Sequence, residues 1–364
     1  METRAGEAPR AKRLIGLDLA RAWAWLGMLL VNFRVAMGVA EDAQAPRWLQ
    51  WGFDALSGRA AALFVVLAGM GLALATRGMD GAERWAWIWR RSLFLAAVGL
   101  LNLLVFPPDI IHYYALYFLV GAGVLALPRR SWPALALLVM GLSTLWMLTH
   151  DYGAGWDWSR MEYVGLGSAA GFVRHLLFNG WHPVLPWCAF LIWGLWLQGL
   201  ALQRVSTACW LVAGGAAVAA LAGVVSRAGR AAWPDWVGFL GVDPLPPVPL
   251  YMLSAGGSAT AAVGMALLLG RLGGRVWGWL LPAGRMTLTL YLAHILIGMG
   301  VLEALGWLDP ARRAGLPEVL LAALGFALVA LLLAWLWMRR VPQGPLEWVM
   351  RRLTRPPRPP GPGA

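Results

Sequence analysis

Polar and ionisable side chains recur inside long apolar stretches of this 364-residue sequence. The first stretch, residues 14–33, reads LIGLDLARAWAWLGMLLVNF and contains Asp18, Arg21 and Asn32, with Arg34 directly after it. Asp18 and Arg21 are three residues apart, so on a helix they share a face and can form an ion pair. An ionisable group at membrane depth costs roughly 2.5–3.5 kcal/mol on insertion scales. Such a pair therefore serves helix packing, or it organises the mouth of a passage.

Two histidines offer acid–base chemistry. An unperturbed imidazole has a pKa of about 6.5, which suits a general base at neutral pH when a carboxylate lies nearby. His112 follows Asp109 by three residues in PPDIIHYYALYF, and we expect it near the outer end of a span. His182 opens a later span on the same side, shortly after Asn179. Either histidine alone also fits an amphipathic anchor at the membrane surface.

The other candidate side chains are less specific. His294 lies mid-span in LTLYLAHILIG, where a hydrogen-bonded packing role and a substrate contact are both open. His150 and His175 fit ordinary loop or interface positions. Arg34 and Arg59 lie near the outer ends of the first two spans, where each alone fits an arginine that extends to the interface. Together they predict a polar outer mouth.

The composition identifies the elements that must position these side chains. Sixty per cent of the residues are hydrophobic, 13% are charged and 24 are Trp, which indicates an integral membrane protein. The predicted fold class is all-α: a polytopic membrane helix bundle over 14–340, after a cytoplasmic segment 1–13 and before a basic, Pro-rich cytoplasmic tail 341–364. An apolar run of roughly 20 residues can cross the bilayer as a helix. About ten runs qualify: 14–38, 55–76, 86–106, 110–127, 132–149, 184–204, 208–226, 251–270, 284–306 and 318–338.

The positions of Lys and Arg predict the orientation. Of the 30 Lys and Arg residues, 20 fall in segments on the same side as the N-terminus and seven fall in the alternate loops. The remaining three lie within or beside spans. Because cytoplasmic loops carry the excess of basic residues, both termini are predicted to be cytoplasmic.

Charge and motifs exclude several functions. The net charge of +12 is spread over the inner loops, so anionic lipid is an expected partner and nucleic acid is not. The sequence has no Gly-rich loop ending in Lys-Ser or Lys-Thr and no dinucleotide-binding glycines between a strand and a helix. It also has no His or Cys pair at metal-binding spacing. We therefore predict no nucleotide hydrolysis, no metal site and no tightly bound cofactor.

Five blocks, in order, carry a resemblance to one family. LDLARAWAWLGMLLVNF resembles the first helix of the YeiB-type bacterial membrane proteins and of their relatives, the heparan-alpha-glucosaminide N-acetyltransferases. In these proteins Leu-Asp-x-x-Arg precedes Val-Asn-aromatic. DIIHYYALYFLVG, FNGWHPVLPWCAFLIWG, AGRMTLTLYLAH and GPLEWVMRRLT are similar to later YeiB-type blocks. The resemblance implies a multi-pass protein of the bacterial cytoplasmic (inner) membrane.

The acetyltransferase relatives imply acyl transfer across the membrane. They use acetyl-CoA from the cytoplasmic side and acetylate an amino sugar on the far side, with a His and the first-helix Asn implicated. Asn32 matches that Asn by motif. The His does not carry over, because in the relatives it follows the first helix, and residues 39–54 contain none here. Either His112 or His182 replaces it, or this branch has lost that chemistry.

The resulting hypothesis is a transmembrane acyltransferase. It would move an acyl group from a cytoplasmic acyl-CoA-type donor to a hydroxyl or amine of a sugar or glycolipid on the outer side. His112 is assigned as general base and Asn32 as the group that holds the thioester carbonyl, with His182 as a second catalytic candidate. The alternatives are a non-enzymatic transporter, lipid flippase or lipid-binding protein, and a protein whose intramembrane charges serve assembly alone. Expected partners are membrane lipids and a small-molecule or glycan acceptor, with a homo-oligomer left open. Substrate binding is assigned to Asp18, Arg21, Arg34, Arg59, Asp109, Asn179, Arg285 and His294.

Overall fold

The computed structural model describes residues 14–39 and 42–354, and its regular secondary structure is almost entirely helical. The predicted segment 1–13 and the last ten residues of the predicted tail lie outside the described residues. Two short strands, β1 (Trp156–Asp157) and β2 (Glu162–Tyr163), pair antiparallel. The α-helices are α1 (Ile15–Ala36), α2 (Arg47–Leu56), α3 (Arg59–Ala75), α4 (Gly81–Leu103), α5 (Ile111–Val124), α6 (Trp132–Thr149), α7 (Ala169–Arg174), α8 (Val184–Gln198), α9 (Val205–Ala232), α10 (Pro249–Leu269), α11 (Gly274–Trp277), α12 (Leu281–Arg285), α13 (Thr287–Ala293), α14 (Gly300–Ala304), α15 (Leu316–Met338) and α16 (Pro345–Thr354).

Shorter helical turns complete the connections. Helix α7 continues into a π-helical segment, His175–Asn179, and α13 continues into another, His294–Met299. The 3₁₀ turns are Arg129–Ser131, Val164–Gly167, Pro234–Trp236, Gly270–Leu272 and Pro310–Arg312.

Every predicted span falls on helical segments of the described chain. Six segments are long and apolar enough to cross a membrane: Arg47–Ala75, Arg129–Thr149, Val205–Ala232, Pro249–Leu272, Thr287–Ala304 and Leu316–Met338. The shorter apolar helices α5 and α8, and the charge-bearing helices α1 and α4, account for the other four predicted spans. The prediction of an all-α polytopic membrane bundle is confirmed.

Contacts between connecting segments show which of them lie at the same end of the bundle. At one end, Gly16 packs on the end of α10, and the guanidinium of Arg129 donates to the carbonyl of Trp196 at 3.0 Å. At the other end, Arg59 reaches the carbonyl of Val242, and the backbone N of Leu316 donates to Asp42 at 2.8 Å. We call these the basic end and the opposite end. The start of α1 and the C-terminal helix α16 share the basic end, and the positive-inside rule predicts that this end is cytoplasmic.

Close helix packing fixes the wall that α3 and α8 form together. A Cβ added to Gly69 would meet the carbonyl oxygen of Leu191, and one added to Gly194 would meet that of Val66. Small residues are enriched at membrane helix interfaces because lipid tails provide no hydrophobic drive and only close approach gains dispersion contacts. These two glycines therefore set the separation between α3 and α8.

The ninth predicted span, 284–306, is not one regular helix. The chain breaks at Met286, whose φ and ψ of −119° and 27° are non-helical, and α13 then passes into the π-helical segment at His294. A π-helical turn widens the backbone ring and rotates the side chains that follow, and such turns are frequent at functional sites. The apolar pattern of the sequence carries no signal for either change.

Part of the segment predicted as a basic tail, 341–364, packs on the bundle as a helix. Residues 345–354 form α16, which packs on α4 and α13 instead of extending from the bundle. Leu346 and Met350 are four residues apart and pack against the core, so one face of the helix is apolar. The density of Pro and Arg obscures this amphipathic pattern in the sequence.

Candidate functional site

A cleft of about 410 Å³ lies at the basic end, between α1, α3, α4, α5, α13 and α16. Two carboxylates line it, and both have protein partners: Asp18 contacts Arg21, and Glu347 accepts hydrogen bonds from α13. The wall of the cleft therefore carries a net positive charge, because guanidinium groups outnumber carboxylates along it. Four arginines line it: Arg21, Arg91, Arg285 and Arg351.

Neighbouring groups orient three of these arginines. The predicted ion pair is confirmed, with Nη1 of Arg21 3.1 Å from Oδ1 of Asp18. The guanidinium of Arg91 lies 4.9 Å from the ring centroid of Trp87, one helical turn earlier on α4. Nη2 of Arg285 donates to the carbonyl of Pro342 at 3.0 Å. These contacts direct guanidinium groups from three different parts of the chain toward one space.

Two tyrosines form part of the floor of the cleft. Tyr114 and Tyr291 are both buried, and both lie within 6.4 Å of the ring of Phe64. The hydroxyl of Tyr291 accepts from the backbone N of Ile110 at 3.2 Å and donates to Oδ1 of Asp109 at 3.4 Å. The hydroxyl of Tyr291 therefore connects the floor of the cleft to Asp109, a residue that the sequence analysis singled out.

Asp109 and His112 form a buried carboxylate–imidazole pair. Oδ2 of Asp109 accepts from the backbone N of His112 at 3.0 Å and from its Nδ1 at 2.8 Å, while Oδ1 accepts from Nδ2 of Asn102 at 2.7 Å. With the proton on Nδ1, the lone pair of His112 is on Nε2. That buried nitrogen has no hydrogen-bond partner within the described residues. General bases in enzymes are commonly histidines that a carboxylate orients in this way.

Asn32 contacts His294, whereas the sequence hypothesis placed it with His112 or His182. Nδ2 of Asn32 lies 3.0 Å from Nε2 of His294, and both side chains are buried. An amide nitrogen only donates, so Nε2 accepts and Nδ1 of His294 carries the proton, 3.3 Å from the carbonyl of Leu290. The ring of Tyr291 lies 5.1 Å from that of His294. Tyr291 therefore lies next to both the Asn32–His294 pair and the Asp109–His112 pair.

Arg34 and Arg59 both bind to α2 and to segments near it, and the predicted outer mouth that joins them to His112 stays a prediction. Arg34 donates to the side chain of Asp54 and to the carbonyl of Val39, at 2.9 Å each. Arg59 donates to the carbonyl of Asp54 at 3.2 Å and to the hydroxyl of Ser254 at 3.1 Å. Both arginines hold α2 and its neighbouring loops at the opposite end.

His175 is not an ordinary loop residue, contrary to the sequence interpretation. It is 1% exposed, its Nδ1 lies 3.1 Å from the hydroxyl of Tyr113, and its ring stacks 6.3 Å from that of His112. His182 lies edge-on to Tyr113 at 6.0 Å. Both histidines belong to the segment between α6 and α8, outside the spanning helices. Burial, followed by the charge of His112, lowers the pKa of each to about 3, so both are neutral at neutral pH.

Asn179, a predicted substrate-binding residue, is occupied by protein contacts. Its Nδ2 donates to the carbonyls of Tyr152 and Ala154 at 2.8 Å each, and its Oδ1 accepts from the hydroxyl of Tyr163 at 3.1 Å. These bonds tie the loop that follows α6 to the π-helical segment that follows α7. Asn179 therefore positions this region of the opposite end.

Sequence reasoning did not select several residues of the cleft. Arg91 appeared only in the count of basic residues, and Arg351, Tyr114, Tyr291 and Glu347 lie in the family-like blocks but were assigned no role. They come from four separate helices, so no spacing in the sequence joins them. Among residues 14–39 and 42–354, no group of three His, Cys, Asp or Glu side chains is arranged to hold a metal ion.

The fold and the cleft define a polytopic helical membrane protein whose arginine-lined cleft adjoins a buried Asp–His pair. Residues 13–237 match the family model described as heparan-alpha-glucosaminide N-acetyltransferase, catalytic, and residues 196–356 match that described as protein of unknown function (DUF418). Because the first match covers more than half of the chain, the chain belongs to this acetyltransferase-like membrane protein family. The YeiB-type resemblance is confirmed. No curated protein and no solved structure matches the chain.

Proposed function

We propose that this protein is a transmembrane acyltransferase of the bacterial cytoplasmic membrane. It takes an acyl group from a cytoplasmic acyl-CoA-type donor and transfers it to a hydroxyl or amine on the outer side. The observation that carries the proposal is the arginine-lined cleft, whose tyrosine floor is hydrogen-bonded on its far side to the Asp109–His112 pair. The donor is a substrate, and no tightly bound cofactor takes part.

The cleft suits the donor in charge and size. Coenzyme A carries several phosphate charges at one end and the thioester at the other. Guanidinium groups bind phosphate oxygens in a bidentate manner, so Arg21, Arg91, Arg285 and Arg351 are assigned to the phosphates. A volume of about 410 Å³ lies in the range of small-molecule sites. The thioester end then points along Leu67 and Leu95 toward the tyrosine floor.

The transfer requires a base and a donor to the carbonyl oxygen. His112 Nε2 takes the proton from the acceptor, whose oxygen or nitrogen attacks the thioester carbonyl. The C–S bond breaks, and the CoA thiolate takes up that proton. Asp109 orients His112 and stabilises its protonated form. His294 engages one N–H of Asn32 and directs the other, which is assigned to the carbonyl oxygen.

Release of free CoA tests the proposal. The full-length protein in lipid nanodiscs is supplied with a panel of acyl-CoA thioesters, and the free thiol is measured. His112→Ala should lower the rate by roughly 10²–10⁴-fold, the usual contribution of a positioned general base. Arg91→Ala should raise KM for the donor with little change in kcat, because it removes a ground-state contact.

Arg130→Ala is the matched control for the arginine, since Arg130 is exposed at the basic end and does not line the cleft. It should behave as wild type. If the folded protein releases no thiol from any thioester, the enzymatic proposal is wrong and transport becomes the leading function. Full activity of His112→Ala would remove His112 from the mechanism.

A further inference from the structure

The carboxylate of Asp109 is hydrogen-bonded at both of its oxygens. Oδ2 holds His112, through the backbone N and Nδ1 of that residue. Oδ1 accepts from Nδ2 of Asn102 at 2.7 Å and from the hydroxyl of Tyr291 at 3.4 Å. The bond from Asn102 is the shorter of the two, so Asn102 is the main contact that fixes the carboxylate on the side away from His112.

Asn102 has no other side-chain task in the fold. It is 3% exposed, and its Oδ1 is buried without a hydrogen-bond partner within the described residues. Asn179 shows the contrasting arrangement, because its amide nitrogen and its amide oxygen both bind neighbouring segments of the chain. We expect an asparagine that serves the fold alone to use both atoms in this way. The one side-chain hydrogen bond of Asn102 goes to Asp109.

The connection between α4 and α5 is folded around this contact. Asn102 lies in the last turn of α4, and its carbonyl accepts from the backbone N of Phe106 at 2.8 Å. Gly99 is three residues earlier and shares a face of α4 with Asn102. A Cβ added to Gly99 would meet the backbone N of His112. Helix α4 therefore approaches the start of α5 so closely that a side chain as short as Asn reaches Asp109.

The amide of Asn102 is a neutral donor. A buried carboxylate must be hydrogen-bonded to remain charged. An arginine at this position would also bind Asp109, but it would neutralise the charge that stabilises protonated His112. In the part of the chain that the structure describes, no arginine pairs with Asp109. A donor without charge keeps the carboxylate ionised and leaves that charge for the imidazole.

We propose that Asn102 is a positioning residue for the base of the acyl transfer. It orients Asp109 and keeps it ionised, so that His112 carries its proton on Nδ1 and presents Nε2 to the acceptor. This inference rests on the proposed acyl transfer. Asn102 does not line the cleft, so it acts on the rate of the chemical step through Asp109 and His112 and leaves donor binding unchanged.

Asn102→Leu removes the donor and keeps nearly the same side-chain size. In the full-length protein in lipid nanodiscs, kcat for thiol release should fall at least about tenfold, because a displacement of about 1 Å at a catalytic group can cost about 100-fold in rate. KM for the thioester and the Kd of CoA should keep their wild-type values, since Arg91 and Leu95 of the same helix still line the cleft.

Ser92→Ala is the matched control on α4. Ser92 is also buried, its hydroxyl likewise has no hydrogen-bond partner within the described residues, and it does not line the cleft. The variant should keep the wild-type kcat. A loss of kcat as large as that of Asn102→Leu would assign the effect to packing of α4 and would overturn the inference.

Asn102→Asp separates a hydrogen-bonding role from a purely structural one. The new carboxyl group has the size of the amide, but it donates to Asp109 only while it is protonated, and two carboxyl groups this close share one proton. The titratable groups that face Asp109 are His112 and Tyr113 on α5 and Tyr291 on α13, and wild type has the same three. The ratio of the variant kcat to the wild-type kcat should therefore fall as pH rises from 6 to 8.5.

The outcomes distinguish this inference from the proposed function. A wild-type kcat in Asn102→Leu, with an unchanged Kd for CoA, overturns the role of Asn102 and leaves the acyltransferase intact. A constant kcat ratio for Asn102→Asp across the pH range does the same, and it decides the matter if Asn102→Leu does not fold. If the wild-type protein releases no thiol from any thioester, the acyltransferase is refuted and the role of Asn102 is refuted with it.

Discussion

The two buried histidines near Tyr291 differ in what occupies the nitrogen that must accept a proton. Nε2 of His294 accepts from Asn32 at 3.0 Å, whereas the corresponding nitrogen of His112 has no hydrogen-bond partner within the described residues. A base needs an available lone pair, so the geometry favours His112 for proton transfer and gives His294 the task of orienting Asn32. The sequence left His294 open between a packing role and a substrate contact.

Asp109→Asn tests the carboxylate in this arrangement. An amide cannot stabilise a protonated imidazole, and its N–H groups favour the other His112 tautomer, so kcat should fall at least about 100-fold. KM for the acyl-CoA donor should stay near the wild-type value, because Asp109 lies beyond the floor of the cleft. Steady-state kinetics and a pH–rate profile are the measurements. An unchanged profile would mean that His112 works without Asp109.

Protonation of buried histidines should make stability fall in acid. The pKa of His175 is lowered to about 3 in the folded protein and is about 6.5 when unfolded, so the unfolded chain binds the proton first. Stability is retained above pH 6.5 and declines as pH falls toward 3, by about 2 kcal/mol at pH 5. The Tm of His175→Gln should therefore fall less between pH 7.5 and pH 5 than that of wild type.

His150→Gln serves as the comparison, because His150 is exposed. Its Tm should have the wild-type dependence on pH. Equal slopes in all three proteins would show that protonation of His175 does not limit stability in acid.

Helix α16 shows how a terminal element can complete a site. Glu347 accepts hydrogen bonds from the backbone N of Leu288 and of Thr289, at 2.7 and 3.1 Å, and from the hydroxyl of Thr289. These bonds satisfy the first N–H groups of α13, which have no partner within their own helix. The same helix brings Arg351 to the cleft.

Glu347→Ala should release α16 from the bundle. Hydrogen bonds to a charged acceptor contribute roughly 1.5–3 kcal/mol each. The free energy lost with three of them should therefore exceed the free energy that docks this ten-residue helix on the bundle. Hydrogen exchange of residues 345–354 should rise, and KM for the donor should increase. Arg352→Ala, on the exposed face of α16, should change neither. Unchanged exchange in Glu347→Ala would show that apolar packing alone holds the helix.

The apolar pattern predicted where helices occur. In lipid, the backbone N–H and C=O groups must form their hydrogen bonds within helices, so each span is a long run of apolar residues. The pattern did not predict the break at Met286 or the π-helical turn at His294, since neither changes the hydrophobicity. The family resemblance singled out Asn32 and the nearby Asp109 singled out His112, but neither signal could pair Asn32 with His294, 262 positions away. Such a contact depends on which helices are neighbours, and that is set by the packing of the whole bundle.

The predicted orientation, with both termini cytoplasmic, requires an even number of membrane crossings. Ser159 and Ser206 are both exposed, the first in the α6–α7 connection and the second at the start of α9. With both native cysteines replaced by Ser, a membrane-impermeant thiol reagent should label Ser159→Cys in intact cells. It should label Ser206→Cys only after permeabilisation. The reverse pattern would invert the orientation, and labelling of both in intact cells would contradict the alternation of ends.

The rings of Tyr114 and Tyr291 stand between a water-accessible vestibule and the interior polar groups. Any continuous water-filled path across a membrane dissipates the ion gradient, and a path lined with guanidinium groups would conduct anions. For a protein that takes a polyanionic donor from the cytoplasm, as proposed, two buried aromatic rings at the bottom of the cleft would limit such ion leakage.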